Sequence, residues 1–205
     1  MEKQEFKRFA DRCGDVIAEI RISAHNLHDS VNQKYGKVHP YGYHLDMVAD
    51  GVRRFGYAVC DSEEDIVPLF FGAYYHDSIE DARLSYNDVM RIAARWITDE
   101  QALMATEMVY ALTNEKGRTR AERANDKYYQ GIRETPYAPF LKLADRLANT
   151  TYSSCQADNG NNRMKQLYHA ELPHFLEAIS SDNFDRCFSL PDTMVKELRD
   201  ICQTE

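Results

Sequence analysis

Helix start signals recur along this chain, and the alternating polar and apolar pattern of strands is nearly absent. Four tetrads resemble a capping box, in which a Ser or Thr and an acidic or amide side chain three residues later bond each other's backbone amides. These tetrads are residues 62–65, 85–88, 98–101 and 119–122. In segments such as EQALMATEMVYAL, apolar residues recur at spacings of three and four, as they do on the buried face of a helix. The pattern therefore predicts an all-α protein.

The signals place eight helices along the chain and indicate another from about residue 191. The linkers between them are short, and the sequence contains no internal repeat. We therefore expect one compact helical bundle of about seven to nine helices over residues 1–205, with C-terminal helices at about 161–203. The predicted helices span approximately 4–31, 42–57, 63–80, 86–95, 99–113, 119–133, 136–153 and 161–179.

Charge and composition narrow the classes of partner. The chain has 33 acidic and 25 basic residues, a net charge of −8. Non-specific nucleic-acid binding normally needs a basic face, so this balance argues against it. The longest apolar run, Ile66–Tyr75, is shorter than the ~20 residues of a membrane span, no secretory signal is visible, and the five cysteines form no CxxC pair. We expect a cytoplasmic protein with neither nucleic-acid nor membrane partners; the sequence carries no signal for oligomeric state.

Four ionisable side chains stand at the end of the most apolar segment of the chain. They are His76, Asp77, Glu80 and Asp81, and helical spacing would put them on neighbouring parts of one face. Acidic groups at a helix C-terminus oppose the helix dipole, and charge near the core is costly unless it is compensated. A bound metal ion is the strongest candidate for that compensation, whereas a solvated acidic helix end is the plain alternative.

His44 and Asp145 are candidates for the remaining ligands. His44 begins a predicted helix, and Asp145 lies on a largely apolar helix in FLKLADRLANT. Asp145 by itself is equally consistent with a structural salt bridge. Together with His76 and Asp77 they make a set of two imidazoles and two carboxylates, which suits Mn²⁺, Fe²⁺ or Co²⁺, and less obviously Mg²⁺.

Three ordered segments resemble the signature of HD-domain phosphohydrolases, and in particular the hydrolase domain of RelA/SpoT-type alarmone enzymes and their small stand-alone relatives. They are HDSVNQKYGKVHPYGYH, YYHDSIED and KLADRLAN, within residues 24–152. The resemblance implies that His44, His76, Asp77 and Asp145 hold a divalent metal, usually Mn²⁺.

The resemblance also implies roles around that metal. Glu80 and Asp81 match the acidic pair that orients or activates the attacking water. Asn149 matches an asparagine that helps to bind the nucleotide, and Tyr41 matches a tyrosine on the pocket side. The implied reaction is hydrolysis of the 3′-pyrophosphate of ppGpp or pppGpp to GDP or GTP and pyrophosphate.

The first of the three segments departs from the family pattern. Val31 and Gln33 stand where the family has Gln and Arg, and Leu45 stands where it has Pro. Neither Val nor Gln can hold a phosphate as a guanidinium does. From their placement in the sequence, Lys34 and Lys142 are the better candidates for cations that contact the substrate.

These departures leave other functions open. The same metal chemistry could act on another nucleotide, such as a nucleoside monophosphate or a phosphorylated dinucleotide cofactor. A non-catalytic nucleotide sensor is a further alternative, although such proteins usually have an incomplete set of metal ligands.

Overall fold

The fold is almost entirely helical in the computed structural model, which describes residues 1–157 and 162–203. The prediction of an all-α protein is confirmed. A single short hairpin pairs two antiparallel strands in this part of the chain, and three 3-10 helices cover Gly56–Ala58, Glu63–Asp65 and Arg186–Phe188. The α-helices and strands are α1 (Lys3–Arg12), α2 (Gly14–Ser30), β1 (Lys34–Tyr35), β2 (His39–Pro40), α3 (Gly42–Phe55), α4 (Ile66–Tyr75), α5 (Tyr86–Ala93), α6 (Asp99–Leu112), α7 (Arg120–Arg123), α8 (Asp126–Glu134), α9 (Ala138–Ala157), α10 (Arg163–Ile179) and α11 (Asp192–Gln203).

The four tetrads that resemble capping boxes all form them. Ser85, Thr98 and Thr119 each accept a hydrogen bond from the amide three residues later, and the side chain at that position bonds back to the cap amide. The box at Ser62 begins the 3-10 turn that leads into α4. A side-chain cap of this kind stabilises a helix by about 1 kcal/mol, which explains why these starts can be read from the sequence.

The helices are more numerous than predicted because two of the predicted segments are interrupted. The segment 4–31 divides at Cys13, which leaves the helical conformation with φ −88° and ψ 9°. The segment 119–133 divides because Asn125 accepts a hydrogen bond from the amide of Tyr128 and so caps a second helix. The predicted start at residue 161 lies outside the described residues, and α10 is described from Arg163.

The predicted helix over 63–80 ends earlier, at Tyr75, and residues 76–81 form turns. The carbonyl oxygen of Ala73 is the one that a continuing helix would pair with the amide of Asp77. It accepts a hydrogen bond from Nδ1 of His76 at 2.8 Å. The prediction that the helix continues to Glu80 is therefore wrong, although the amide of Asp81 still donates to the carbonyl oxygen of Asp77 at 2.8 Å.

Helix α9 lies at the centre of the core, where α3, α4, α6, α8, α10 and α11 pack against it. Helix α4 is buried on nearly all sides and approaches α9 closely at Gly72. A Cβ atom at that position would lie 2.7 Å from Cδ1 of Leu141, so a larger residue would force the Leu141 side chain to move. Helix α4, which directly precedes His76 and Asp77, and helix α9, which carries Asp145, are thus packed against each other. Among the described helices, none is both long and apolar enough to cross a membrane.

Candidate metal centre

Three helices bring the four predicted metal ligands together. His44 lies in the first turn of α3, His76 and Asp77 directly follow α4, and Asp145 lies in the middle of α9. Both imidazoles are almost completely buried, with His44 2% and His76 1% exposed. The early end of α4 matters here, because the turn at His76 aims its side chain at α3 and α9.

The ligand atoms face one another over short distances. Nε2 of His44 lies 3.2 Å from Nε2 of His76 and 3.4 Å from Oδ1 of Asp145. Oδ2 of Asp77 lies 2.9 Å from Nε2 of His76 and 3.6 Å from Nε2 of His44. One ligand atom from each of His44, His76 and Asp145 lies within 4.8 Å of the others, so this buried group could hold a metal ion.

The protonation of the imidazoles agrees with that role. Nδ1 of His76 donates to a carbonyl oxygen, so in the neutral ring Nε2 carries the lone pair and points into the cluster. Nδ1 of His44 is buried and has no hydrogen-bond partner among the described residues. Two Nε2 atoms at 3.2 Å with carboxylates around them form a donor set that a divalent cation fits.

The electrostatics of the cluster favour a cation. Burial lowers the pKa of His76, but the carboxylates of Asp77 and Asp145 outweigh this effect and raise it to about 9. Burial raises the pKa of Asp77, and the neighbouring imidazoles outweigh that effect and hold it well below its usual range. Burial also raises the pKa of Asp145, but the positive charge of Lys142 and the two imidazoles outweigh burial and hold this pKa well below its usual range. The two carboxylates therefore stay ionised and attract positive charge, either protons or a metal ion.

A chain of side chains links Asp77 to Asp81 on one side of the cluster. Tyr41 donates a hydrogen bond to Oδ2 of Asp77, and its ring stacks on His28 with centroids 4.6 Å apart. Nδ1 of His28 donates to Oε1 of Gln33 at 2.7 Å, and Nε2 of Gln33 donates to Oδ2 of Asp81 at 2.5 Å. Gln33 thus holds an acidic side chain of the site. Val31, another of the departures, is exposed directly after α2.

Glu80 is held separately, by Asn114 after the end of α6. Nδ2 of Asn114 donates to Oε2 of Glu80 at 2.7 Å. Burial and the charge of Asp77 raise the pKa of Glu80, and the same two causes raise the pKa of Asp81. Both carboxyl groups are thus shifted towards the range in which an acid or base works near neutral pH.

The hairpin covers the cluster from another side. The ring of Tyr35 stacks on His44 with centroids 4.8 Å apart, and its hydroxyl donates to Oδ1 of Asn149 at 2.8 Å. Nδ2 of Asn149 donates in turn to Oδ1 of Asp145 at 2.5 Å. Asn149 therefore orients Asp145 and is itself oriented by Tyr35.

A cavity of about 510 Å³ opens beside the cluster. Seven of the ten predicted site residues line it. His44, His76 and Lys34 do not, and Lys34 lies exposed on β1. Lys142 lines the cavity, but its ammonium group bonds to Oδ2 of Asp145 at 2.9 Å. Substrate binding by Lys34, Lys142, Tyr41 or Asn149 therefore stays a prediction. The seven are Tyr41, Asp77, Glu80, Asp81, Lys142, Asp145 and Asn149.

Charged residues outside the set of predicted site residues line one wall of the cavity. Arg120, Arg146 and Glu171 line the wall formed by α7, α9 and α10. One signal was available: Arg146 follows Lys142 by four residues and so shares the helix face of Lys142 and Asp145. No comparable signal connects Glu171 with α9, because the two are joined only by the fold.

No protein-family model matches the chain. A search of curated proteins also finds no significant match.

Proposed function

We propose that the protein is a metal-dependent phosphohydrolase of nucleotides, and that its substrate group is the 3′-pyrophosphate of a guanosine alarmone such as ppGpp. One observation carries the proposal: His44, His76 and Asp145 meet in a buried cluster whose carboxylates line a cavity of about 510 Å³. The products are then GDP or GTP and pyrophosphate.

The convergence of the three sequence segments supports this proposal. The segments that resemble the alarmone hydrolases lie on α2 to α3, on the end of α4 and on α9, and each contributes a side chain to the same cluster. A purely structural salt bridge would account for Asp145 and Lys142. It would not account for two imidazoles whose Nε2 atoms lie 3.2 Å apart.

The proposed reaction divides its work between the metal and the chain. A divalent cation, when bound, lowers the pKa of a coordinated water and polarises a phosphoryl oxygen. Glu80 or Asp81 would act as the general base towards the attacking water, since both line the cavity and both have a raised pKa. Asn114 and Gln33 fix the orientations of these two carboxylates.

We assign Mn²⁺ as the metal, with Fe²⁺, Co²⁺ and Mg²⁺ as alternatives. Mixed imidazole and carboxylate ligands favour the first three over Mg²⁺, which prefers oxygen ligands. Equilibrium dialysis of the apoprotein against each ion, followed by a hydrolysis assay, will rank the four ions by affinity and by the activity that they support.

Another nucleotide is the second candidate substrate, and Gln33 is the observation that favours it. This side chain bonds to His28 and Asp81 and stands where the alarmone hydrolases have an arginine. An amide engaged in this way offers a phosphate no positive charge. Hydrolysis of a nucleoside monophosphate or of a phosphorylated dinucleotide cofactor would release orthophosphate in place of pyrophosphate.

Incubation of the purified protein with ppGpp and a nucleotide panel tests the proposal. We expect hydrolysis with Mn²⁺ and none with a chelator, with products identified by chromatography. Pyrophosphate release from ppGpp supports the alarmone assignment, whereas orthophosphate release from another nucleotide replaces it. If no nucleotide is hydrolysed with any of the four metals, the protein is not a phosphohydrolase of this kind.

A pair of variants tests the metal centre itself. Asp77→Ala is expected to lower the rate at least about 100-fold, because it removes a carboxylate that adjoins both imidazoles. Asp50→Asn is the matched control, since Asp50 is an exposed residue of α3 outside the cavity. An undiminished rate in Asp77→Ala would refute the assignment of this cluster as the catalytic centre.

A further inference from the structure

Glu171 lies between two guanidinium groups on the wall of the cavity. Arg120 donates to it through Nε at 3.1 Å and through Nη2 at 2.9 Å, in a two-pronged contact. Nη1 of Arg146 donates to the same carboxylate at 2.9 Å. All three side chains line the cavity, so the ion-pair triad borders the space that a ligand would enter.

The two arginines differ in how firmly they are held. Arg146 is 7% exposed, and its guanidinium lies over the rings of Tyr168 and Phe175 at 4.7 and 4.2 Å. The side chain of Arg120 is 47% exposed, and it extends from α7, a helix of only four residues. Arg146 is thus fixed in the wall, whereas Arg120 has room to exchange one partner for another.

A phosphoryl group matches the site that Glu171 occupies. The fork of a guanidinium recognises carboxylate and phosphate oxygens with the same geometry, and two converging guanidinium groups are typical of phosphate recognition. A phosphoryl group carries up to two charges where the carboxylate carries one. It can therefore compete for Arg120 and Arg146, while a neutral group cannot.

We propose that Arg120 and Arg146 form a binding subsite for a phosphate or pyrophosphate group, and that Glu171 fills this subsite in the free protein and competes with the ligand. The inference deepens the proposed function, because the subsite belongs to the same cavity as the metal centre. Glu171 then acts as a specificity-determining residue: it raises the charge that a ligand needs in order to bind. Ligands that carry a dianionic group displace it, and weakly charged ligands do not.

The charge of the cavity wall supports this competition. Lys142 is already bound to Asp145, so the wall of α9 offers Arg146 as its other positive side chain. When Glu171 is neutralised, both guanidinium groups lose their counter-charge while their positions on α7 and α9 stay the same. Binding of an anion should therefore become tighter in Glu171→Gln, since glutamine keeps the shape and one acceptor oxygen.

Calorimetric titration of the metal-free protein with inorganic pyrophosphate tests the inference. We expect Glu171→Gln to bind pyrophosphate roughly fivefold to tenfold more tightly than the unmodified protein, the range set by a partly exposed, charge-assisted pair. Arg120→Ala should bind it more weakly. Glu197→Gln is the matched control, because Glu197 forms a similar two-pronged pair with Arg54 outside the cavity and its loss should leave the affinity unchanged.

The outcomes separate this inference from the proposed function. Equal or weaker binding by Glu171→Gln, with native circular dichroism and melting temperature, would show that Glu171 supports the arginines and does not compete with a ligand. Absence of pyrophosphate binding in both proteins would also overturn the inference. Neither result touches nucleotide hydrolysis, which is measured separately with metal, and a failed hydrolysis assay leaves the metal-free titration intact. If Glu171→Gln does not fold, Arg120→Lys tests the subsite instead. Lysine keeps the positive charge but lacks the forked guanidinium group, so this variant should bind pyrophosphate more weakly than the unmodified protein.

Discussion

Replacement of Lys142 by methionine will destabilise the metal-free protein far more than the metal-loaded protein. Lys142 is 16% exposed at its side chain, and its ammonium group bonds to Oδ2 of Asp145 at 2.9 Å. Oδ1 of the same carboxylate faces Nε2 of His44 at 3.4 Å. Asp145 therefore has two sources of positive charge in the loaded protein, the lysine and the metal, but chiefly the lysine when the metal is removed.

The magnitude follows from these contacts. Loss of one partner from a buried ion pair costs about 3–5 kcal/mol, and the low end applies because Asn149 still donates to Asp145. For a chain of this size a loss of ~3 kcal/mol lowers the melting temperature by roughly 6–12 °C. In the loaded protein the metal compensates the carboxylate, and the loss should shrink to that of one hydrogen bond, about 1 kcal/mol.

The thermodynamic cycle links this difference to metal affinity. If Lys142→Met costs ~2 kcal/mol less in the presence of metal, the variant must bind the metal roughly 30-fold more tightly than the unmodified protein. The assay is thermal unfolding followed by circular dichroism, in excess chelator and in saturating Mn²⁺, with metal affinity measured independently by dialysis.

Two results would refute the reasoning. An equal loss of stability with chelator and with Mn²⁺ would show that no cation shares the charge of Asp145. A variant that binds Mn²⁺ more weakly than the unmodified protein would show that Lys142 orients the ligand and does not compete with the metal.

Two further predictions concern the hairpin and the surface. Gly36→Ala should lower the free energy of unfolding by about 1–3 kcal/mol, because Gly36 has φ +56° and a Cβ atom there would lie 1.9 Å from the Tyr152 hydroxyl oxygen. Gly131→Ala, which has open space around its Cβ, is the control in denaturant titrations and should be neutral or stabilising; equal losses in both variants would contradict the steric argument. Asp46 is the basis of a pH prediction: burial raises its pKa, but His25 and Arg21 outweigh burial and lower it to about 2. A lowered folded-state pKa contributes stability that is present above the unfolded pKa, near 4, and is lost as the pH falls towards 2. The free energies of unfolding of the unmodified protein and of Asp46→Asn should therefore differ at pH 6 and converge at pH 2. A difference that stays constant between these pH values would contradict the prediction.

Helix starts were predictable from the sequence because the interactions that make them are local. The capping boxes at Ser85, Thr98 and Thr119 each involve residues three apart, so their chemistry is visible in four letters. The end of α4 was not predictable. The segment HDSIED has no glycine or proline, and the helix ends at Tyr75 with the His76 imidazole bound to a backbone carbonyl.

The candidate site was predictable where its ligands lie in recognisable segments. His44, His76 and Asp145 come together as expected from those segments, whereas the surroundings depend on contacts between distant parts of the chain. From the sequence alone, Gln33 indicates the loss of a phosphate-binding arginine. The fold shows that its amide instead bonds to His28 and Asp81. Such contacts cannot be predicted from residue spacing or composition, because they form only when the helices pack together.

The central position of α9 bears on how a metal ion bound at the candidate site could exchange. Six helices pack against α9, so the segment around Asp145 cannot open without disrupting the core, and its amide hydrogens should exchange with solvent only when the whole domain unfolds. A bound metal ion would have a shorter route, since Asp145 and Asp77 also border the cavity. A metal ion bound at this site could therefore leave without the unfolding of α9. A metal that leaves within seconds is compatible with backbone amides that stay protected for days.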